Sequence, residues 1–292
     1  MGGMFGESKF EVLQKVPAAV VPSTGLLKFP ATLDQVRDEM RRLGLTFPVL
    51  FKPDLGERGW RVTIIRNEAT AKTYLDTMQS DSIIQELVTL PLEFGVYYRR
   101  YPNEADGVVT SVVIKEMLSV EGDGATRLEE LILKNDRAKL QWETLQKKYS
   151  DRLKEVLSPG EKLELVSIGN HCLGTKFLNG NHLINETLSR AFDAISKQID
   201  GFYFGRFDLR TASLEDLYAG RVKVVELNGC GAEPAHIYQP GYSLWRALCD
   251  MAAHWKSLYR VSMENHKKGV PFTKLKDGLH LYRKFKKSMQ NP

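Results

Sequence analysis

Apolar and polar positions change their period several times along the chain, and each change marks a predicted element. Residues 33–43 repeat at helical spacing, with Thr32 placed to cap the start and Gly44 to end the helix. The same period predicts helices over 9–15, 68–78, 188–199 and 242–259, and a charged helical region over 128–157. Short apolar runs predict strands over 47–53, 61–65 and 82–86, and a strand-like segment between the prolines at 17 and 22. Residues 93–100 and 107–117 alternate about the turn Tyr101–Gly107, which is the pattern of a hairpin. This order predicts an α+β fold: a leading segment (1–30), a small lobe (31–88) and a larger lobe (89–292) about a central antiparallel sheet.

Two strands near the end of that order carry concentrated chemistry. One runs from Gly201 to Arg210 and contains Arg206 and Asp208; the other runs from Val222 to Gly229 and contains Glu226 and Asn228. Strand side chains alternate between faces, so Arg206 and Asp208 point one way, and Glu226 and Asn228 do likewise. The turn-like stretch 211–221 makes the strands antiparallel neighbours. One face then gathers two carboxylates, an amide oxygen and a guanidinium. Hard oxygen donors suit Mg²⁺ holding a polyphosphate, and the arginine suits an anion beside it. Two amphipathic strands with ordinary surface charges would carry the same letters.

Upstream, Lys52-Pro-Asp-Leu-Gly56-Glu-Arg-Gly59 joins two predicted strands. A glycine-bearing hairpin lets backbone N–H groups close over phosphate oxygens, and a lysine at the strand end neutralises them. The stretch is not a Walker A loop, because the lysine precedes the glycines; by itself it also fits a plain turn. Next come Glu86, Leu87 and Val88, which offer a backbone donor and acceptor to a base edge between apolar walls. Glu93, seven residues on, is placed for ribose hydroxyls, although an exposed strand carboxylate reads the same way.

With 292 residues the chain can bury a sizeable core. No run is long and apolar enough to span a membrane, and no signal peptide pattern opens the chain. Cys172, Cys230 and Cys249 fall in no disulfide or metal spacing, which fits a reduced cytoplasmic setting. The net charge of +5 owes much to residues 267–287. A solvated C-terminal helix is the plain reading of that excess, and no base-reading motif points to nucleic acid.

Taken in order, the lysine-ended strand, glycine hairpin, Glu-Leu-Val hinge, later glutamate, Arg-x-Asp strand and Glu-x-Asn strand resemble the ATP-grasp superfamily over about residues 9–241. The run from Lys115 through Gly122-Asp123-Gly124 and Thr126 is similar to a stretch of cyanophycin synthetase, and the whole has the flavour of the D-alanine–D-alanine ligase branch. The resemblance implies two α+β lobes clasping ATP. It implies that Lys52, Gly56 and Gly59 contact phosphate, that Glu86, Leu87 and Val88 hold adenine, and that Glu93 holds ribose. Lys115 would give a second phosphate contact, in place of the family's arginine. Asp208, Glu226 and Asn228 would ligate Mg²⁺, two ions in the usual case, with Arg206 beside the transferred phosphoryl group. The usual Rossmann-like domain ahead of the first lobe is absent from this sequence, so either the chain is a piece of a longer protein or its acceptor site is built differently. The family's early phosphate-binding lysine has no secure counterpart, Lys9 and Lys15 being poor matches.

The activity so implied is ATP-dependent ligation: a small-molecule or peptide carboxylate becomes an acyl-phosphate, an amine or thiol attacks it, and ADP and phosphate leave. A phosphotransferase on the same fold, or a catalytically silent ATP-binding module, uses the same nucleotide residues. For the acceptor, the polar stretch 170–182 offers His171 and Lys176, and the segment after the second strand offers Glu233 and His236. A surface turn explains 170–182 equally well. A homodimer is compatible with all of this.

Overall fold

The computed structural model describes residues 3, 4, 6–56, 60–166, 169 and 174–290. In chain order the elements are α1 (Lys9–Gln14), β1 (Thr24–Leu27), α2 (Leu33–Leu43), β2 (Val49–Pro53), β3 (Thr63–Ile65), α3 (Glu68–Asp76), β4 (Ser82–Glu86), β5 (Leu92–Arg99) and β6 (Val108–Glu116). They continue with β7 (Ser119–Glu121), α4 (Leu128–Lys134), α5 (Trp142–Lys148), β8 (Lys162–Glu164), β9 (Lys176–Asn179) and α6 (Glu186–Ser196). The last are β10 (Phe204–Thr211), α7 (Leu214–Tyr218), β11 (Lys223–Asn228), α8 (Leu244–Lys267) and α9 (Leu275–Gln290).

The chain forms two compact units, one of residues 1–114 with 179–292 and one of Lys115–Leu178. This division does not fall at 88/89. The strands on both sides of that position share one unit.

The larger unit holds two antiparallel sheets. The first has the order β1-β4-β2-β3. Val49 and Phe51 of β2 and Ile84 of β4 face α2 and α3, where Val36, Met40 and Tyr74 complete a core. Helix α2 starts and stops where its sequence dictates. The Thr32 hydroxyl accepts from Gln35 N while the Gln35 side chain returns to Thr32 N, and Gly44 closes the end at φ 65°. Such caps contribute about 1 kcal/mol. Alternation sends Lys52 and Gln85 to the sheet's opposite face.

In the second sheet β11, β10, β5 and β6 lie side by side in that order. Phe94, Val96 and Tyr98 of β5 and Phe207 and Leu209 of β10 pack on Leu188, Phe192 and Ile195 of α6. The other face carries the charged residues. At one end it is closed by α8, whose His254 ring meets Tyr97 and Phe204 at centroid distances of 4.9 Å each.

The smaller unit has its own core, with Leu118, Leu128, Ile132, Leu145 and Leu157 in contact. Its two short strands β7 and β8 pair antiparallel. The predicted helical region 128–157 is broken into α4, a 3₁₀ turn over Lys139–Gln141, and α5. Asn135 ends α4 by turning its side chain back onto Arg137 N and Ala138 N, a local bond that competes with helix. Residues 16–22 also depart from expectation. They form a 3₁₀ turn over Ala18–Val20, and the strand begins later, at Thr24. Pro17 and Pro22 each lack the N–H a ladder needs.

Candidate functional site

The charged face of the second sheet is built by register. In the β10–β11 ladder Arg206 lies opposite Asn228 and Asp208 opposite Glu226. In the β10–β5 ladder Asp208 lies opposite Gly95 and Arg210 opposite Glu93. Alternation therefore puts Arg206, Asp208, Arg210, Glu226, Asn228 and Glu93 on one face. The register slips after Asp208 and skips Val225, a bulge in β11.

Asp208 is the hub. Only 3% of it is exposed. It accepts from Arg206 Nε at 3.2 Å and NH2 at 3.0 Å, and from Asn228 Nδ2 at 2.8 Å. Arg206 also donates from NH1 to the Glu233 carbonyl at 3.1 Å. Gly95 leaves the space these groups use. A Cβ there would lie 2.6 Å from Val113 Cγ1 and 3.1 Å from Asp208 Oδ1.

Lys52 reaches this ladder from the first sheet. Its Nζ donates to Val225 O at 3.0 Å and to Gln85 Oε1 at 3.1 Å, and Gln85 is held in turn by donating to Thr24 Oγ1 at 3.0 Å. Burial pushes the Lys52 ammonium down to about 8; the Glu226 carboxylate opposes that shift and the Lys9 charge adds to it. The charges that act on this buried ammonium are the carboxylates of Glu226, Asp54 and Asp208 and the ammonium of Lys9.

Lys9, set aside on sequence, is a neighbour of this cation. Its Nζ donates to the carbonyls of Asp54 and Gly56, while Asp54 Oδ1 accepts from Phe10 N at 2.9 Å. Helix α1 thus anchors the segment leading into the predicted phosphate hairpin. Gly56 has φ 154°, a conformation that favours glycine. Gly59 and the rest of the hairpin tip lie outside the described residues.

At the hinge, Glu86 is tied to the first sheet's edge, its N–H donating to Ser23 O at 2.9 Å and its Oε2 accepting from Ser23 N at 3.1 Å. Arg210 donates to Val88 O at 2.8 Å and to Glu93 Oε2 at 3.0 Å. One guanidinium therefore fixes both the hinge carbonyl at Val88 and the carboxylate of Glu93. Leu87 lies between Glu86 and Val88 and is half-buried. Arg210 had no predicted role, yet the alternation that pairs Arg206 with Asp208 also selects position 210. Gln85, Lys9 and Gly95 gave no comparable signal, because each acts through a neighbour from another element.

The remaining predicted residues come from other segments of the chain. Lys115 belongs to the smaller unit, where its Nζ lies 5.9 Å from the centre of the Phe177 ring. Lys176, in the same unit, pairs with Glu116 at 2.9 Å. The Gly122-Asp123-Gly124 run has a structural explanation. Asp123 Oδ1 accepts from Ala125 N and Thr126 N, and a Cβ on Gly122 would lie 2.3 Å from Ser158 O. These bonds, the Thr126 hydroxyl first, hold the Asp123 carboxyl down at about 2. His171 lies outside the described residues. Glu233 is exposed and accepts from Tyr238 OH. His236 is buried with both ring nitrogens engaged, Nδ1 2.7 Å from Ser111 Oγ and Nε2 3.2 Å from Asp250 Oδ2.

Among the described residues no group of three or more His, Cys, Asp and Glu side chains is gathered as a metal site. Around Arg206 the face offers two carboxylates, Asp208 and Glu226, and the Asn228 amide. That donor set fits Mg²⁺, which keeps several waters and is bound through one or two carboxylates together with substrate phosphates.

No protein-family model matches the chain, and no curated protein matches it. Several solved structures are similar to it. D-alanine–D-alanine ligase from Bacillus anthracis is 15% identical over 90% of this chain and 69% of its own, with a TM-score of 0.49. A bifunctional glutathione synthetase from Pasteurella multocida is 17% identical over 83% of this chain and 35% of its own, with a TM-score of 0.40. The ATP-grasp ligase PsnB, complexed with a minimal precursor, is 13% identical over 86% of this chain and 60% of its own, with a TM-score of 0.42. This chain spans between about a third and about two thirds of the length of these proteins.

Proposed function

We propose that the chain binds Mg·ATP on the charged face of its second sheet and uses it to ligate a carboxylate to an amine or thiol. The observation that carries this reading is the convergence of Arg206, Asp208, Glu226 and Asn228 on one face, with the buried Lys52 ammonium at the same ladder. Such a cluster has no packing purpose that apolar residues would not serve as well.

In this reading Glu86, Leu87 and Val88 hold the adenine edge, and Glu93, oriented by Arg210, accepts from the ribose hydroxyls. Lys52 and the Gly56 hairpin hold the phosphates, with Lys9 bracing the hairpin's first residues and Lys115 as a further phosphate contact. Asp208, Glu226 and Asn228 would hold Mg²⁺, which supplies charge neutralisation on the phosphate oxygens. The substrate carboxylate oxygen attacks the γ-phosphorus and ADP leaves with the bonding pair. Arg206 stabilises the charge that builds on the transferred group. The nucleophile then attacks the acyl carbon, loses a proton and expels phosphate. His171, Lys176, Glu233 and His236 are the proposed acceptor-side residues; the Glu233 carbonyl accepts from Arg206.

The test is a matrix of carboxylates and amines scored for Mg²⁺-dependent phosphate release, with mass analysis of products. A condensed product with free phosphate supports the ligase. A phosphorylated product without release identifies a phosphotransferase, and ATP binding without turnover of any pair identifies a silent module.

A further inference from the structure

Helix α8 turns one face inward and leaves the other without cover. His254 and Val261 are buried, Val261 among Tyr97, Tyr101 and Phe204. On the outer side Trp245, Leu248, Ala252, Trp255 and Tyr259 follow one another at spacings of three and four, so they form a single row along the helix. The large members of that row face solvent: Trp245 is 74% exposed, Leu248 54%, Trp255 63% and Tyr259 66%. In α9, Leu275 and Leu279 lie one turn apart and are 79% and 45% exposed. A row of this kind is unusual on a surface that meets only water.

The charge around the row is one-sided. Residues 244–290 hold eleven Lys and Arg against three Asp and Glu; with chain totals of 41 and 36, the rest carries more acid than base. Lys256 flanks the row on α8, and Lys274, Lys276, Arg283 and Lys286 accompany the leucines of α9. Apolar residues in the middle, tryptophan and tyrosine among them, with cations at the margin, is the arrangement of a helix lying in the headgroup boundary of an anionic bilayer. A second copy suits it less. An antiparallel pair centred on Ala252 would set Lys256 of each copy against the apolar Leu248 of the other, with no acidic residue in the row to meet it. A nucleic acid backbone calls for cations along the centre of the contact, where this face is apolar.

We propose that the outer face of α8, together with the basic C-terminal segment, docks on a lipid surface bearing anionic headgroups. The site is separate from the ATP face and does not rest on the ligase reading. No helix among the described residues is long and apolar enough to cross a membrane, so contact is peripheral.

The test uses the full chain, sedimented with phosphatidylcholine vesicles made with and without phosphatidylserine. The expected result is pelleting that requires phosphatidylserine, weakens with salt and shifts tryptophan emission to the blue. Trp245→Ser with Trp255→Ser should abolish the pelleting. Lys274→Gln, Lys276→Gln and Lys286→Gln together should weaken it on the order of a hundredfold, about fivefold for each cation removed. Circular dichroism of both variants should match the parent. Equal pelleting on both vesicles, or none, overturns the proposal. A dimer in velocity sedimentation that the tryptophan substitutions dissociate also overturns it, as does retention by an oligonucleotide in place of the vesicles.

Discussion

Lys52 and Val225 are 173 residues apart in sequence, and their hydrogen bond of 3.0 Å fastens the first sheet to the second at the charged ladder. The acceptor is the residue the β10–β11 register skips, so the bulge and the lysine explain each other. The bond brings the ammonium beside Glu226 and Asp208, whose fields both act on it.

Lys52 gives a prediction in pH. Its folded value is depressed from 10.5 to about 8 by burial. Below pH 8 both folded and unfolded chains hold the proton, and the whole cost of burying the charge is present. Between 8 and 10.5 the unfolded chain holds the proton more tightly, so this group makes stability rise with pH. Urea unfolding of the ligand-free protein and of Lys52→Met, compared across that window, should show the parent gaining on the variant. A constant difference would remove Lys52 as a buried titrating group. At neutral pH the variant should lose ATP turnover by at least about a hundredfold, the scale of one removed charge-stabilising group.

Asp208 and Glu226 should separate catalysis from folding. Glu226→Gln is expected to lower Mg·ATP turnover by at least about a hundredfold and to shift the unfolding midpoint little. Asp208→Ala should also destabilise the fold, by about 1–3 kcal/mol, because it leaves the half-buried Arg206 guanidinium without its carboxylate and Asn228 Nδ2 without its acceptor. Full activity in either variant would defeat the Mg²⁺ assignment.

Arg210 holds Glu93 and the hinge carbonyl of Val88 together. Arg210→Met should therefore raise KM for ATP by about tenfold, as Glu93→Gln should, and the double variant should cost much less than the product of the two. Steady-state kinetics at saturating acceptor measure this. Independent, multiplicative effects would mean that the two residues do not act as one nucleotide contact.

Gly95 sits where any side chain collides. Gly95→Ala is expected to destabilise by about 1–3 kcal/mol, the usual cost of overpacking, and to depress turnover by displacing Asp208. Thermal unfolding and phosphate release read the two effects. An unchanged melting temperature would show that Val113 and Asp208 yield without cost.

What the sequence determined was everything governed by local period and local caps. Thr32 and Gly44 bound α2 as read, and the hairpin of β5 and β6 followed from alternation about its turn. The shared face of Arg206, Asp208, Glu226 and Asn228 needed only the two-residue repeat of a strand and an antiparallel neighbour. Where local bonds outcompete the period, the reading failed: Asn135 breaks the helix expected over 128–157, and the prolines around Ala18–Val20 replace a strand with a turn.

Tertiary structure alone decided which charges meet. Lys9 gained a position at the Asp54–Gly56 carbonyls, Arg210 gained Glu93, His236 was enclosed between Ser111 and Asp250, and Lys115 fell into a separate unit. The physical reason is that periodicity fixes the direction of a side chain relative to its own element. The partner it reaches depends on how that element packs against others far away in the chain, and no pattern within a single element encodes that.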